Sequence, residues 1–217
     1  MDFRLYFITD SSYHDEENFL RIIKEACQSG VSLVQLREKD KSIREYIELG
    51  FKVKEITDSY SIPLIIDDRV DVALAIDADG VHLGAQDMPI SLARKILGRN
   101  KIIGATAKSV EVAVLAMNDG ADYLGVGAIF PTTTKVETVI TKVSTLDDII
   151  AAVNIPVVAI GGLNHTNLDI LQGSNIDGIS VVSAIMKAPD VTVATKELRE
   201  LVDQLLINTI VKSALLK

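Results

Sequence analysis

The chain has 217 residues, is 48% hydrophobic but only 5% aromatic, and carries a formal net charge of −8. Its apolar residues are mainly Val, Ile, Leu and Ala, the composition of α/β proteins with buried parallel strands. The negative balance argues against non-specific binding to nucleic acid or to an anionic membrane, but a local cationic patch would still admit an anionic substrate.

The first apolar run covers residues 5–9 and is followed by an amphipathic segment at 16–29. The alternation then continues along the chain. Short runs at 33–36, 64–66, 80–83, 102–104, 123–126, 157–160 and 178–182 are too short for helices and mostly β-branched, so they are predicted strands. Helical patterns are predicted at 43–59, 70–76, 91–97, 110–118, 145–153, 167–172 and 193–206. Eight strands with eight helices predict a closed (β/α)8 TIM barrel, with a doubly wound open sheet as the alternative. An internal echo supports the barrel: Asp79, Asp122 and Asp177 each stand immediately before a predicted strand. No Pro- or Ser-rich linker divides the chain, so residues 1–217 are expected to form one domain. Beyond Leu206 the apolar Ile207, Ile210, Val211, Leu215 and Leu216 extend the last helix or pack against a second subunit, which leaves a homo-oligomer open.

The N-terminal stretch lacks a charged n-region, a long apolar core and a cleavage site, so no signal peptide is read. No apolar run approaches the roughly 20 residues that span a bilayer. Cys27 stands alone, permits no intrachain disulfide and is read as a packing residue in a reducing compartment. A soluble cytoplasmic protein is expected.

In a parallel barrel the reacting groups lie at the carboxyl ends of the strands. Strand two ends Gln35-Leu36-Arg37-Glu38-Lys39, in which Gln35, Arg37 and Lys39 recur at a spacing of two and point the same way if the chain stays extended. An amide, a guanidinium and an ammonium together suit an anionic ligand; the plainer reading is a solvated strand end paired with Glu38. Strand three ends Asp67-Asp68-Arg69, which suits a hard divalent cation or the N-cap of the next helix. Asp87, after strand four, could share an ion with Asp68. Strand five offers the hydroxyl of Thr106. Strand six runs through Gly125-Val126-Gly127-Ala128-Ile129-Phe130-Pro131 into Thr132, Thr133, Thr134 and Lys135, a glycine-rich turn followed by donors suited to phosphate oxygens. The ends of strands seven and eight bring Gly162, Val182 and Ser183, where barrels commonly cap a phosphate with backbone N–H groups. Two anion sites and a metal site are therefore expected at one barrel mouth. One comprises Gln35, Arg37, Lys39 and Lys135, the other Thr132, Thr134, Gly162 and Ser183. His82 is read as a substrate contact or a structural hydrogen bond, His14 and His165 as loop residues, and Tyr13, Tyr46 and Tyr60 as helix-face or surface aromatics.

These segments resemble the thiamine-phosphate synthase family. The resemblance rests on Tyr6-Phe7-Ile8-Thr9-Asp10, on Gln35, Arg37 and Lys39, on Asp67-Asp68-Arg69-Val70-Asp71-Val72-Ala73, on Gly80 to Gly84, and on Pro131, Thr132, Thr134 and Lys135. It implies that a hydroxymethylpyrimidine diphosphate and a thiazole phosphate are joined to thiamine phosphate with loss of pyrophosphate, through early C–O cleavage assisted by Mg2+. It further implies that Gln35, Arg37, Lys39, Asp67, Thr106 and Lys135 hold the pyrimidine diphosphate. Asp68 and Asp87 would hold Mg2+, and Thr132, Thr133, Thr134, Gly162, Val182 and Ser183 the thiazole phosphate. Arg37, Lys39 and Lys135 would act on the leaving group. Residues 132–143 are expected to form a lid.

The chain departs from the family pattern at Asp67 (usually Asn), Thr106 (usually Ser), Ala85 (usually Gln) and Ala128 (usually Pro), and the usual glycine after Lys135 is missing; none of these deletes a phosphate or metal ligand. The rivals are a thiazole tautomerase-like enzyme, which uses a histidine after strand five where this chain has Thr106-Ala107-Lys108-Ser109, and a non-catalytic thiamine-phosphate-binding barrel.

Overall fold

The structure is a computed structural model that describes residues 1–132 and 139–215, with side chains through Thr209. Eight parallel strands close in sequence order into a barrel: β1 (Leu5–Ile8), β2 (Leu33–Leu36), β3 (Leu64–Asp67), β4 (Gly80–Leu83), β5 (Ile102–Ala107), β6 (Tyr123–Gly127), β7 (Val157–Ile160) and β8 (Gly178–Val181). Pairing of β1 with β8 completes the ring, Tyr6 lying opposite Ser180. The barrel, and not the open sheet, is the fold.

The outer layer is α1 (Glu16–Ser29), α2 (Ile43–Ser59), α3 (Val70–Ala75), α4 (Ile90–Leu97), α5 (Val110–Asn118), α6 (Val143–Ala152), α7 (Ser183–Met186) and α8 (Val191–Leu215). Local chemistry explains where these begin. Asp15 accepts from the Asn18 amide at the head of α1, and Ser42 with Glu45 forms a reciprocal capping box on α2. The segment after β7 holds a single 3-10 turn, Leu168–Leu171, instead of the helix expected at 167–172. The backbone becomes extended at Gln172, which stops the turn there. The apolar tail extends the last helix, which runs to Leu215. No described helix is long and apolar enough to cross a membrane.

Alternation along each strand divides the core. Leu5 and Phe7 face the helices, whereas Tyr6 and Ile8 face the barrel interior with Leu33, Ile65, Tyr123 and Val158. Tyr46 is buried, not a surface aromatic; its hydroxyl donates to the Leu36 carbonyl at 2.6 Å and so ties α2 to the end of β2. Cys27 is buried and free, as a packing residue should be.

The echo at Asp79, Asp122 and Asp177 has a structural cause. Each aspartate accepts from a backbone N–H at the start of the preceding strand: Asp79 from Leu64 (2.8 Å), Asp122 from Ile103 (2.7 Å) and Asp177 from Val157 (2.8 Å). Each also donates its own amide to the carbonyl of that same residue. Ser32 does the same for Leu5. The clips therefore join β1 to β2, β3 to β4, β5 to β6 and β7 to β8, a repeat of two strands around the amino end of the barrel.

Candidate active site

The charged groups gather at the opposite end, above β1 to β4. Strand β2 stops at Leu36, so Arg37 and Lys39 lie on the loop beyond it. Arg37 reaches Asp10 (3.3 Å) and comes within 3.8 Å of Asp67, while Lys39 Nζ sits 2.8 Å from Asp67 and also contacts Asp68. The two cations thus meet over one carboxylate, as the two-residue spacing predicts. Gln35 does not join them. It is buried one step deeper, where its Nε2 donates to the Tyr6 hydroxyl at 2.6 Å.

Neighbouring strand residues point to opposite faces, so Asp67 and Asp68 could not both reach Lys39 from a regular strand. Asp68 solves this with a left-handed backbone, φ 61°, which Asp tolerates better than most residues. Neither aspartate caps α3, the alternative read from sequence. The cap position is Arg69 and carries no side-chain cap bond. Asp87 turns back to accept from the Gly84 amide at 2.6 Å and faces Asp68. Asp68 and Asp87 are therefore brought together as expected. Among the described residues no group of three His, Cys, Asp or Glu side chains is arranged to hold a metal.

Burial and the charge of Asp68 push the Asp67 carboxyl up to about 6, against the pull of Lys39 and Arg37. Burial also favours the neutral form of Asp68, but Lys39 overrides it and holds that carboxyl below its ordinary value. Burial raises Asp87, with Asp68 adding to the effect. Burial disfavours the Lys39 ammonium, yet its two aspartate partners outweigh this and raise it above its ordinary value. Lys39 remains a cation throughout the neutral range. Glu38, between the two cations, turns inward; Ser11 donates to one of its oxygens at 2.6 Å while Oε1 is buried without a partner. From sequence Glu38 was read as a solvated partner of the strand-two cations and Asp10 as part of a family motif, neither with a role in the site. The Glu38 position, inside a charged motif, gives no sign that the loop turns it inward.

Below the charges lies a polar chain that sequence reading also missed. Tyr6 and Tyr123 join hydroxyl to hydroxyl at 2.8 Å, Tyr123 meets His82 Nδ1 at 3.0 Å, and His82 Nε2 meets Thr106 Oγ1 at 3.0 Å. His82 thus makes the structural bonds weighed from sequence while remaining half-buried at the mouth. Burial drives it down to about 4.

The other side of the mouth is built from backbone. Gly161 (φ 100°) and Gly162 (φ 66°) need left-handed conformations, and a Cβ on Gly162 would lie 2.7 Å from both Phe130 Cβ and the Pro131 carbonyl. The chain leading to Thr132 therefore runs directly over Gly162. Val182 precedes the short α7, whose first residue, Ser183, is exposed. Ser183 also lines a cavity of about 420 Å³ with Asn164, His165, Lys187 and Glu197, beside the mouth and away from the charges. Thr133, Thr134 and Lys135, with half of the expected lid, lie outside the described residues.

A closed parallel barrel with its convergent polar groups at the carboxyl ends of the strands is the architecture of a (β/α)8 enzyme. Residues 5–185 match the thiamine monophosphate synthase family. The chain is 53% identical over 193 residues to thiamine-phosphate synthase 2 of Streptococcus pneumoniae serotype 4, covering 89% of this chain and 92% of that one. It is 50% identical to the thiamine-phosphate synthase of Enterococcus faecalis, covering 94% and 96% of the two chains. The solved thiamine phosphate pyrophosphorylase of Pyrococcus furiosus superimposes with a TM-score of 0.85 at 44% identity, covering 94% of this chain and 96% of that one. The chain belongs to the thiamine monophosphate synthase family.

Proposed function

We propose that this protein joins 4-amino-2-methyl-5-hydroxymethylpyrimidine diphosphate to 4-methyl-5-hydroxyethylthiazole phosphate, giving thiamine phosphate and pyrophosphate. The observation that carries this reading is the meeting of Arg37 and Lys39 over Asp67, with Asp68 also against Lys39, at the mouth of a barrel of this family. The reaction needs no general base. Its difficult step is departure of a diphosphate, and fixed cations stabilise the charge that accumulates there more in the transition state than in the ground state. Arg37 and Lys39 supply those cations. Lys135 is proposed to supply a third.

Asp68 and Asp87 are the pair proposed to hold Mg2+. Facing carboxylates, one of them raised by burial and further by its neighbour, suit a hard cation that keeps waters and substrate oxygens as its remaining ligands. When bound, the ion supplies further positive charge to the leaving diphosphate. Gln35, Asp67 and Thr106 are proposed to line the pyrimidine diphosphate subsite. Thr132, Thr133, Thr134, Gly162, Val182 and Ser183 are proposed to take the thiazole phosphate, the left-handed glycines allowing close approach of backbone to an anion. The lone buried cysteine supports a reducing, cytoplasmic setting.

The test is pyrophosphate release from the two substrates and Mg2+, with and without EDTA. Metal-dependent release coupled to thiamine phosphate is expected. Binding of thiamine phosphate with no turnover would replace the synthase by a non-catalytic barrel. Lys135→Ala should lower turnover by orders of magnitude at an unchanged melting temperature; near-normal turnover would remove Lys135 from the mechanism.

A further inference from the structure

Four hydrogen bonds run in series through the barrel interior: Gln35 Nε2 to Tyr6 Oη (2.6 Å), Tyr6 Oη to Tyr123 Oη (2.8 Å), Tyr123 Oη to His82 Nδ1 (3.0 Å) and His82 Nε2 to Thr106 Oγ1 (3.0 Å). Both ends of the chain are residues proposed above to face the pyrimidine diphosphate, and the middle is sealed. Tyr6 is 1% exposed and Tyr123 is 0% exposed. The interior is also shaped for it. A Cβ on Gly104 would lie 2.1 Å from Tyr123 Cζ and 2.5 Å from His82 Nδ1, and one on Gly125 would lie 3.2 Å from His82 Cε1. Any larger residue at Gly104 would part the tyrosine from the histidine.

Proton counting gives the chain a direction. With the Gln35 NH2 assigned toward Tyr6, Tyr6 accepts from Gln35, and the Tyr123 oxygen is the acceptor left for its single proton. Tyr123, having accepted, must send its own proton to His82 Nδ1, which must therefore be bare. A bare Nδ1 leaves the ring proton on Nε2, where it is donated to Thr106 Oγ1. Thr106 has then accepted, and its hydroxyl proton is left for the half-open side of the residue, toward the mouth.

We propose that Tyr6 and Tyr123 are positioning residues that hold His82 as its Nε2–H tautomer and thereby present the Thr106 hydroxyl as a donor to an acceptor atom of the substrate. The substrate assignment rests on the function proposed above; the tautomer does not. The relay reads a lone-pair acceptor, a ring nitrogen or a phosphate oxygen, and rejects a donor placed at the same point. It also explains why Gln35 lies apart from Arg37 and Lys39: its amide starts the chain and sets its sense.

The first test is the tautomer in the unaltered, 15N-labelled protein, read from long-range 1H–15N couplings of the imidazole. The chain has three histidines, and His82→Gln identifies the signal of interest. A proton on Nε2 with a bare Nδ1 is expected. A proton on Nδ1 would reverse the chain, make Thr106 an acceptor and overturn the proposal. The second test is a double-mutant cycle. Tyr123→Phe should lower kcat/KM about tenfold, the loss of one hydrogen bond, and shift the His82 signals. In a Thr106→Val background it should cost little more, because Tyr123 acts through Thr106. An equal loss in both backgrounds, or an unchanged His82 tautomer in Tyr123→Phe, would reduce Tyr123 to a packing residue and sink the relay. A protein that shows the expected tautomer but releases no pyrophosphate would overturn the proposed function alone.

Discussion

The two ends of this barrel use the same residue type for opposite purposes. At the amino end, Asp79, Asp122 and Asp177 each accept from a strand-start amide, a bond that satisfies backbone and joins two strands. At the carboxyl end, Asp67, Asp68 and Asp87 crowd one another and share Lys39. Asp68 adopts a left-handed backbone to do so, and the Asp67 carboxyl is driven up by burial and by its neighbour. Strain of this kind costs about 1–3 kcal/mol and persists only where the surrounding structure over-determines it. The amino-end aspartates each close a strand-start amide, Asp122 with Arg94 as a second partner; the carboxyl-end aspartates lie against one another and Lys39, and of these Asp87 keeps an amide partner in Gly84.

That contrast is broken most sharply at Lys39. Lys39→Ala should lower kcat by roughly 10²-fold or more, the scale for removing one preorganised charge from the transition state, while the melting temperature moves little because Lys39 is half-exposed. Steady-state kinetics beside thermal melts check this. A variant that loses stability and keeps turnover would place Lys39 with the structural residues.

Asp177→Ala makes the reverse cut. It leaves the Val157 amide without its acceptor and should cost about 1–3 kcal/mol of stability. For a chain of this size that is a fall in melting temperature of roughly 2–12 °C, with kcat of the folded protein unchanged. Calorimetry and initial rates decide it, and a drop in kcat without a drop in stability would dissolve the division between the two ends.

How much of this division was legible beforehand depends on whether identity or geometry carried it. Strands and helices were readable because β-branched runs and 3.6-residue periodicity alternate without interruption. Helices α1, α2 and α5 lie on the predicted residues. Arg37, Lys39, Asp68 and Asp87 were readable because charge at a strand end has few other uses. Gln35 was grouped with Arg37 and Lys39 because a period of two was extended past Leu36, where the strand ends, whereas its amide lies one step deeper against Tyr6. Tyr6 and Tyr123 were missed because inward aromatics within apolar runs look like ordinary core, and only closure of the ring brings residues 117 positions apart to 2.8 Å. The aspartate echo was visible, but the two-strand period that explains it needs the register.

Asp67 sharpens the comparison at its most ambiguous residue. Its carboxylate neutralises Lys39 before any diphosphate arrives. Asp67→Asn should leave Asp68 as the remaining counter-charge of Lys39 and lower the KM for the pyrimidine diphosphate by about fivefold, on the order of 1 kcal/mol, with the Mg2+ requirement unchanged. Titration of activity with Mg2+ separates the alternatives. A weaker metal requirement profile with no gain in KM would mean that Asp67 belongs with Asp68 and Asp87 as a ligand, not with Lys39 as its counter-charge.

Cys27 gives the smallest effect and controls for both ends, since it lies on α1 in the outer layer. Burial pushes its thiol from 9.0 up to about 12, so the fold favours the neutral form. A group raised in the folded state contributes stability that is fully present below its ordinary pKa and is lost as pH rises through the folded value. The stability difference between the unaltered protein and Cys27→Ala should therefore be flat up to about pH 8 and shrink above pH 9, measured by denaturant titration under reducing conditions. Relative kcat of the two proteins should not change over the same range, because the thiol lies on α1 and is not among the charged groups of the mouth. A parallel loss of activity would show that the outer layer and the mouth are coupled, and that the aspartates of the two ends are less separate than their hydrogen bonds imply.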